Sequence, residues 1–323
     1  MVDQIDRNFY RIEIPLPQNP LKSLNSYVIT GPDRNLIVDT GLNREECKRA
    51  MLDGLAELRV DLNDTDFFIT HLHADHLALA TTIAPDTSKI YLNAPDAGRL
   101  VSFFNRANLT NFARLQGFPA DEIEVALDNH PGFKYGSGRI PTFQLCKGGD
   151  TISVGNYHLI CMETPGHSFG HMCLYEPERK YLIAGDHILS DITPNIQCWD
   201  DWDPLATYLA SLDKAYMLDV KLVLPGHRRI FENCRARIEE LRRHHDDRAR
   251  EVLTILRDGG CTAYEVASRM TWDIVCDSWE LFPVAQKWFA VGEAVAHLKY
   301  LVGLGQVHRQ ETSRGVVAYA LAS

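Results

Sequence analysis

The sequence predicts an α/β sandwich with helices on its outer faces, followed by a smaller helical unit that closes on a β-hairpin. Three observations carry this. From residue 9 to about 230, apolar runs of strand length alternate with longer amphipathic runs of helix length, the pattern of sheets with helical connections. Four apolar runs lead into a polar residue able to bind a metal: "DFFIT" before His71, "LICMETPG" before His167, "YLIAG" before Asp186 and "LVLPG" before His227. After Glu232 this pattern stops, and long charged helical stretches take over.

The elements follow in order. "NFYRIEIPL" alternates as a strand does, and 25–30 and 35–41 are two more strands separated by the turn "GPDR". Residues 43–58 read as a helix, with Asn43 as N-cap and early glutamates. Residues 66–70 form a buried-type strand, and 89–93 another. Residues 95–138 read as a helical insertion ending in a loop-like "DNHPGFKYGSGR". Such an insertion is either a lid or substrate wall or a helical pair packed on the sheet. Strands resume over 150–166 and 171–186, the latter a hairpin turning at "EPERK". A helix at about 203–217 leads to the strand 220–227. Beyond it, helices at 235–260, 262–270 and 284–307 precede a hairpin turning at Ser313-Arg314-Gly315, the order of a winged helix. The expected units are therefore 1–234, with an insertion at 95–138, and 235–323.

At 323 residues there is ample chain for a sizeable core. A net charge of −10 argues against broad binding to nucleic acid or an anionic membrane. No apolar run approaches the roughly 18–20 residues that span a bilayer. The opening "MVDQIDRNFYRIEIPLP" has Asp3 and Asp6 and lacks the apolar core of a secretory leader. Eight cysteines without a Cys-x-x-Cys pair read as reduced thiols, so a cytoplasmic chain is expected.

The chemistry concentrates in "THLHADH", which sets three histidines and an aspartate within six positions. His71 and His73 fall on one side of an extended segment; Asp75 and His76 follow as the chain turns toward a helix. One metal could take the first pair and a second metal the other. Imidazole and carboxylate donors suit zinc, iron or manganese. His167, Asp186 and His227 bring the candidates to seven, enough for two ions sharing Asp186. The glycine before each of these three lets the backbone approach closely.

This motif set resembles the metallo-β-lactamase-fold hydrolase superfamily: His-x-His-x-Asp-His at 71–76, then a distant His, Asp and His in order. The resemblance implies a four-layer αββα sandwich and two divalent metal ions, zinc first, iron or manganese otherwise. It implies one ion on His71, His73 and His167, a second on Asp75, His76 and His227, and Asp186 bridging. "LIVDTG" matches the family's early Asp motif, which makes Asp39 an orienting residue behind the ligands. The tail resembles the branch with a C-terminal winged helix, the lactamase-like protein 2 type, which includes endoribonucleases. Where common members carry a small Gly-Gly after the His-x-His-x-Asp-His turn, this chain has Leu77-Ala78-Leu79-Ala80.

Two metals about 3.5–4 Å apart lower the pKa of a shared water toward 7 and so make hydroxide available for attack on a polarised carbonyl. Asp75 and Asp186 are the candidate catalytic carboxylates, with Asp75 able to relay a proton to the leaving group. Phe103, Phe104 and Phe112 are candidates for an acyl pocket, with core packing as the alternative. Arg106, Tyr135 and His130 are candidates for contact with an anionic substrate, with solvated-loop roles as the alternative; His171 and His187 read as structural hydrogen-bonding residues, with substrate contact as the alternative. His244 and His245, on a charged stretch, read as exposed. The expected activity is hydrolysis of a small ester, thioester or lactone. The alternatives are cleavage of single-stranded nucleic acid and a non-hydrolytic metal protein. Residues 240–323 hold about as many acidic as basic side chains, whereas a phosphate-gripping unit needs a basic face. A small molecule is the expected partner, with a homodimer as an option.

Overall fold

The computed structural model describes residues 1–103, 105–136, 140–274, 276–312 and 315–322, apart from the side chains of 101–103. The chain opens on an antiparallel meander of β1 (Val2–Asp6), β2 (Phe9–Pro15), β3 (Ser23–Ile29) and β4 (Asn35–Val38). Then β5 (Thr65–Phe68), β6 (Ile90–Asn93) and β7 (Gln144–Cys146) extend the same sheet in parallel, giving seven strands in sequence order. Parallel neighbours need crossovers. These are α1 (Glu45–Glu57), the short α2 (Ala74–Leu77) and α3 (Ala80–Ile83), and an insertion of α4 (Ala94–Phe103), α5 (Arg106–Leu115), α6 (Ala120–Asn129) and α7 (Pro131–Tyr135). The second sheet is β8 (Thr151–Val154), β9 (Tyr157–Glu163), β10 (Met172–Glu176) and β11 (Tyr181–Gly185), all antiparallel. It is completed by β12 (Leu222–Pro225), which lies parallel to β11 after α8 (Pro204–Tyr216) crosses over.

Side-chain alternation along the strands sorts the molecule into layers. Tyr27 and Ile29 of β3, Leu36 and Val38 of β4 and Phe68 of β5 face Tyr157, Leu159, Met172, Leu174, Ile183 and Leu224 of the other sheet. Their neighbours Leu24, Val28, Ile37 and Phe67 turn the opposite way, onto α1 to α4. On the far side of the second sheet, Cys173, Leu182, Ala184 and Val223 meet α8 and the helices beyond. Two sheets thus lie between two helical layers.

The tail is α9 (Cys234–Ile255), α10 (Ala263–Arg269), α11 (Val284–Gly303), β13 (Val307–Glu311) and β14 (Val317–Leu321). Thr262 and Glu265 close a capping box at the start of α10. Its core is shared: Trp288, Val291 and Leu298 of α11 sit in one cluster with Leu205 and Tyr208 of α8 and with Leu109, Phe118 and Ile123 of the insertion. The insertion is therefore built into the body of the molecule, and Lys287 of α11 pairs with Glu122 of α6 at 2.7 Å.

Several expectations need correction. β1, missed in the sequence, is half-buried except at the exposed Gln4, so it carries no apolar alternation. β7 is three residues long with two exposed. The stretch taken as loop around Pro131 forms α7, where His130 Nδ1 accepts from the Gly132 N–H at 3.1 Å and Pro131 sits where its missing N–H costs nothing. Arg44, not Asn43, takes the N-cap position of α1, without a side-chain bond. His245 is buried, because it follows Leu241 by four residues on the inner stripe of α9 and packs on Tyr208 and His297. The turn residues Ser313 and Arg314 lie outside the described residues.

Candidate metal centre

The candidate ligands arrive from carboxyl ends of strands, the end at which open α/β sheets place their sites. His71 and His73 follow β5, and His73 is the N-cap of α2, whose first turn presents Asp75 and His76. His167 follows β9, Asp186 follows β11, and His227 follows β12. Glycine is needed at two of these corners. A Cβ on Gly226 would stand 2.7 Å from Asp186 Oδ1 and 2.8 Å from His76 Cε1. Gly166, at φ +145°, lies so close to α8 that a Cβ would meet the Tyr208 main chain at 2.5 Å.

The seven residues converge. Donor atoms of His71, His73 and His167, of His71, His76 and Asp186, and of Asp75, His76 and His227 form three sets, each within 4.8 Å. Asp186 reaches across them: Oδ1 is 3.5 Å from His76 Nε2, and Oδ2 is 3.5 Å from both His167 Nε2 and His227 Nε2. His227 Nε2 also lies 3.5 Å from Asp75 Oδ2. Donors bonded to one tetrahedral ion at about 2.0–2.1 Å stand about 3.3–3.4 Å apart, so this spacing suits a shared cation. His76 Nε2, His167 Nε2, His227 Nε2 and Asp186 Oδ1 are buried without a hydrogen-bond partner. Buried polar atoms are seldom left so, and these four belong to one cluster.

The opposite ring nitrogens are tied down. His76 Nδ1–H donates to Asp39 Oδ2 at 2.8 Å, His167 Nδ1–H to the Asn195 carbonyl at 2.8 Å, and His227 Nδ1–H to the Ser23 carbonyl at 2.7 Å. Thr70 spends its hydroxyl proton on Asp39 and accepts from His71 Nδ1–H at 3.0 Å. Each bond leaves the Nε2 lone pair facing the cluster. Asp39, at φ +59°, also accepts the Thr70 main-chain N–H at 2.8 Å. His171 holds Asp186 from behind, its Nε2 accepting the Asp186 N–H at 3.1 Å and its Nδ1–H donating to Thr164.

Electrostatics divides the cluster. Burial pushes His71 well down, helped by the neighbouring imidazoles. Burial and His167 bring His73 down to about 3. Burial opposes the charge on His76, but Asp39 and Asp186 outweigh it and raise its pKa well above the usual imidazole range. His227 is likewise raised, by Asp186 and Asp75 against burial. Burial would raise Asp75 and Asp186, yet the surrounding imidazoles hold both below the usual carboxylate range.

A cavity of about 300 Å³ opens beside His73 and His167, walled by Leu72, Leu109, Phe169, Trp199 and Trp202. Arg99 reaches it, stacked 4.0 Å over Phe169 and paired with Asp200. Phe112 stands behind the wall, edge-on to Trp199 at 6.1 Å. The expected substrate contacts do not line this cavity. Arg106 pairs with Glu124 and Asp128 on α6. Tyr135 packs on the first helical layer under Arg44. His187 is fully buried against Tyr208, where burial brings it down to about 3. Phe104 and the side chain of Phe103 lie outside the described residues.

Asp96 is a residue that sequence reasoning missed. Fully buried at the start of α4, it accepts the Leu72 N–H at 2.9 Å, the Ser168 hydroxyl at 2.8 Å and the Gly170 N–H at 2.6 Å. It thereby ties the His71–His73 segment to the His167 loop. Burial raises it to about 6 against these three bonds. The available signal was its place just after an apolar strand, the same position the candidate ligands occupy.

The sequence model of the metallo-beta-lactamase superfamily matches residues 20–227, and that of the metallo-beta-lactamase-like C-terminal domain matches 249–322. The chain belongs to the metallo-beta-lactamase superfamily and is a hydrolase of that class. It is 24% identical to the atrochrysone carboxyl ACP thioesterase of Aspergillus fumigatus over 75% of this chain and 62% of that one. It is also 24% identical to the human acyl-coenzyme A thioesterase MBLAC2 over 64% of this chain and 74% of that one. The crystal structure of a metallo-beta-lactamase family protein from Thermus thermophilus superposes with a TM-score of 0.83 at 27% identity, covering 98% of this chain and all of that one. Among the described residues no helix is long and apolar enough to cross a membrane.

Proposed function

We propose that the protein is a dinuclear metal-dependent thioesterase acting on a small acyl thioester, with simple esters and lactones as lesser substrates. The observation that carries this is the convergence of four partnerless buried donor atoms, one of them on His167, which with His73 lines an aromatic-walled cavity. His71, His73 and His167 would hold one ion, Asp75, His76 and His227 the other, and Asp186 both. Imidazole-rich donors favour zinc, with iron or manganese in competition. Divalent ions held there would supply a Lewis acid for the acyl oxygen and acidify a water near neutral pH.

The chain's own groups supply the rest. Asp39 and the Asn195 and Ser23 carbonyls orient three imidazoles. Asp75, whose Oδ2 lies 3.5 Å from His227 Nε2, would relay a proton to the departing group. Leu72, Leu109, Trp199 and Trp202 receive an acyl chain and keep water from it. A thiol of pKa about 8.5 departs as thiolate with little help from an acid, which suits a site rich in bases. The two thioesterase relatives support the same chemistry, since both act on acyl groups in thioester linkage.

We infer also that the tail is a winged-helix-like unit beginning near residue 235. Among the described residues α9, α10 and α11 precede the β13–β14 hairpin, and Cys261 forms an isolated antiparallel bridge with Tyr319. Eight unpaired cysteines suit a reducing compartment such as the cytoplasm. The test is a substrate panel of acyl-coenzyme A, aryl ester, lactone and single-stranded RNA on the metal-loaded protein. The highest kcat/KM is expected on acyl-coenzyme A; faster cleavage of RNA would overturn the reading.

A further inference from the structure

We propose that Glu293 of α11 is a positioning residue for His167, acting through Asn195. This rests on the reading that His167 is a metal ligand.

The carbonyl that orients His167 belongs to Asn195, in a stretch between β11 and α8 without strand or helix. No ladder fixes that oxygen. What fixes it is the C-terminal unit. Asn195 Nδ2–H donates to Glu293 Oε2 at 3.0 Å, while Glu293 Oε1 faces Arg248 Nε of α9 at 3.5 Å. Arg248 is itself immobilised: Nη1 donates to Glu251 and to the Thr271 carbonyl, each at 2.6 Å, and the guanidinium lies 4.4 Å over Trp272.

The flanking chain rests on the same helix. The Cys198 N–H donates to the Gly292 carbonyl at 3.0 Å, and Trp199 stacks on Trp288 at 3.9 Å with the rings 14° apart. Glu293 turns its second oxygen to Asn195, one main-chain carbonyl away from the metal cluster. The C-terminal unit thus completes the support of a ligand contributed by the other unit, and it does so without touching substrate.

The probe is Co(II) added to chelator-stripped protein, with affinity read by competition with a chromophoric chelator and coordination read from the visible absorption band. Wild type takes up two ions in resolvable steps. Glu293→Ala and Asn195→Ala each weaken one step about ten-fold, as removal of outer hydrogen-bond partners does, and alter the band of that ion. The double variant is no worse than either single one, because both cut the same link. Glu293→Gln, which keeps an acceptor for Asn195, retains most of the affinity. If Glu293→Ala fails to fold, Asn195→Ala carries the test from the other side. Variants that lose thermal stability but bind Co(II) with wild-type affinity and spectrum overturn the proposal. The underlying reading has its own control: His167→Ala that keeps both steps intact means His167 is no ligand, and the proposal falls with it.

Discussion

His167 and His227 are near twins in sequence, each behind Pro-Gly at the end of an apolar strand, and they differ in what holds them. Both donate Nδ1–H to a main-chain carbonyl, at 2.8 and 2.7 Å. The carbonyl beneath His227 is Ser23, the first residue of β3. Around it Asn25 and Tyr27 of the same strand bind the carbonyls of Pro225 and Gly226. That support is an interior strand, paired with β2 on one side and β4 on the other. The carbonyl beneath His167 is in an irregular stretch propped on α11. Similar ligand motifs can therefore rest on unequal foundations, one within the sandwich and one borrowed from the C-terminal unit.

The largest effect should erase the distinction. Asp186 reaches both halves of the cluster, so Asp186→Ala is expected to lower kcat/KM on the order of 1,000-fold, about 4 kcal/mol, and to abolish two-metal loading. Survival of both would break the shared-ligand account. Asp96→Ala comes next, since it leaves three buried donors unpaired at about 1–3 kcal/mol each. Urea unfolding should show a loss on the order of 3 kcal/mol or more, and metal binding should weaken on the His71, His73 and His167 side first. Asp39→Ala strikes the other half directly through His76, and the first half only at one remove, through Thr70 and His71. A 10–100-fold loss of metal affinity is expected there, with the His167 ion less affected; equal loss at both sites would blur the comparison.

The smallest effect is with pH. His297 of α11, which donates to the Glu293 carbonyl at 2.9 Å, is brought down to about 4 by burial. Its unfolded counterpart takes a proton near pH 6.5. As pH falls from 7 to 6 the unfolded chain binds more protons than the folded one, so stability falls, by about 0.7 kcal/mol for each such imidazole. The loss grows until the folded group titrates near 4. Chemical denaturation at pH 7 and 6 should show a shallower fall for His297→Gln than for wild type.

The candidate ligand set was open to sequence reading because its members are polar side chains at or just after the abrupt end of an apolar strand. Its supports were not. Ser23 and Asn195 act through main-chain oxygens, which no residue type advertises. Glu293 lies more than 100 residues from His167 in the chain, on a helix whose sequence suggests only packing. His245 looked solvated within "RRHHDDRAR", although its spacing from Leu241 and Val252 places it on the buried stripe. The sheets were visible where both faces are buried and strands run apolar. They were invisible at the edges, where β1 and β7 face solvent. Arg106 illustrates the opposite error: a cation in an insertion beside the site suggested anion binding, and its carboxylates sit on the next helix.

The central claim is that two ions, joined by Asp186, drive acyl hydrolysis. Its most direct test is to strip the protein with chelator, titrate zinc back, and follow bound metal and acyl-coenzyme A hydrolysis together. Both should rise to a plateau at about two equivalents per chain, with little activity in the stripped protein. Full activity at one equivalent, or hydrolysis that persists without metal, would contradict the account.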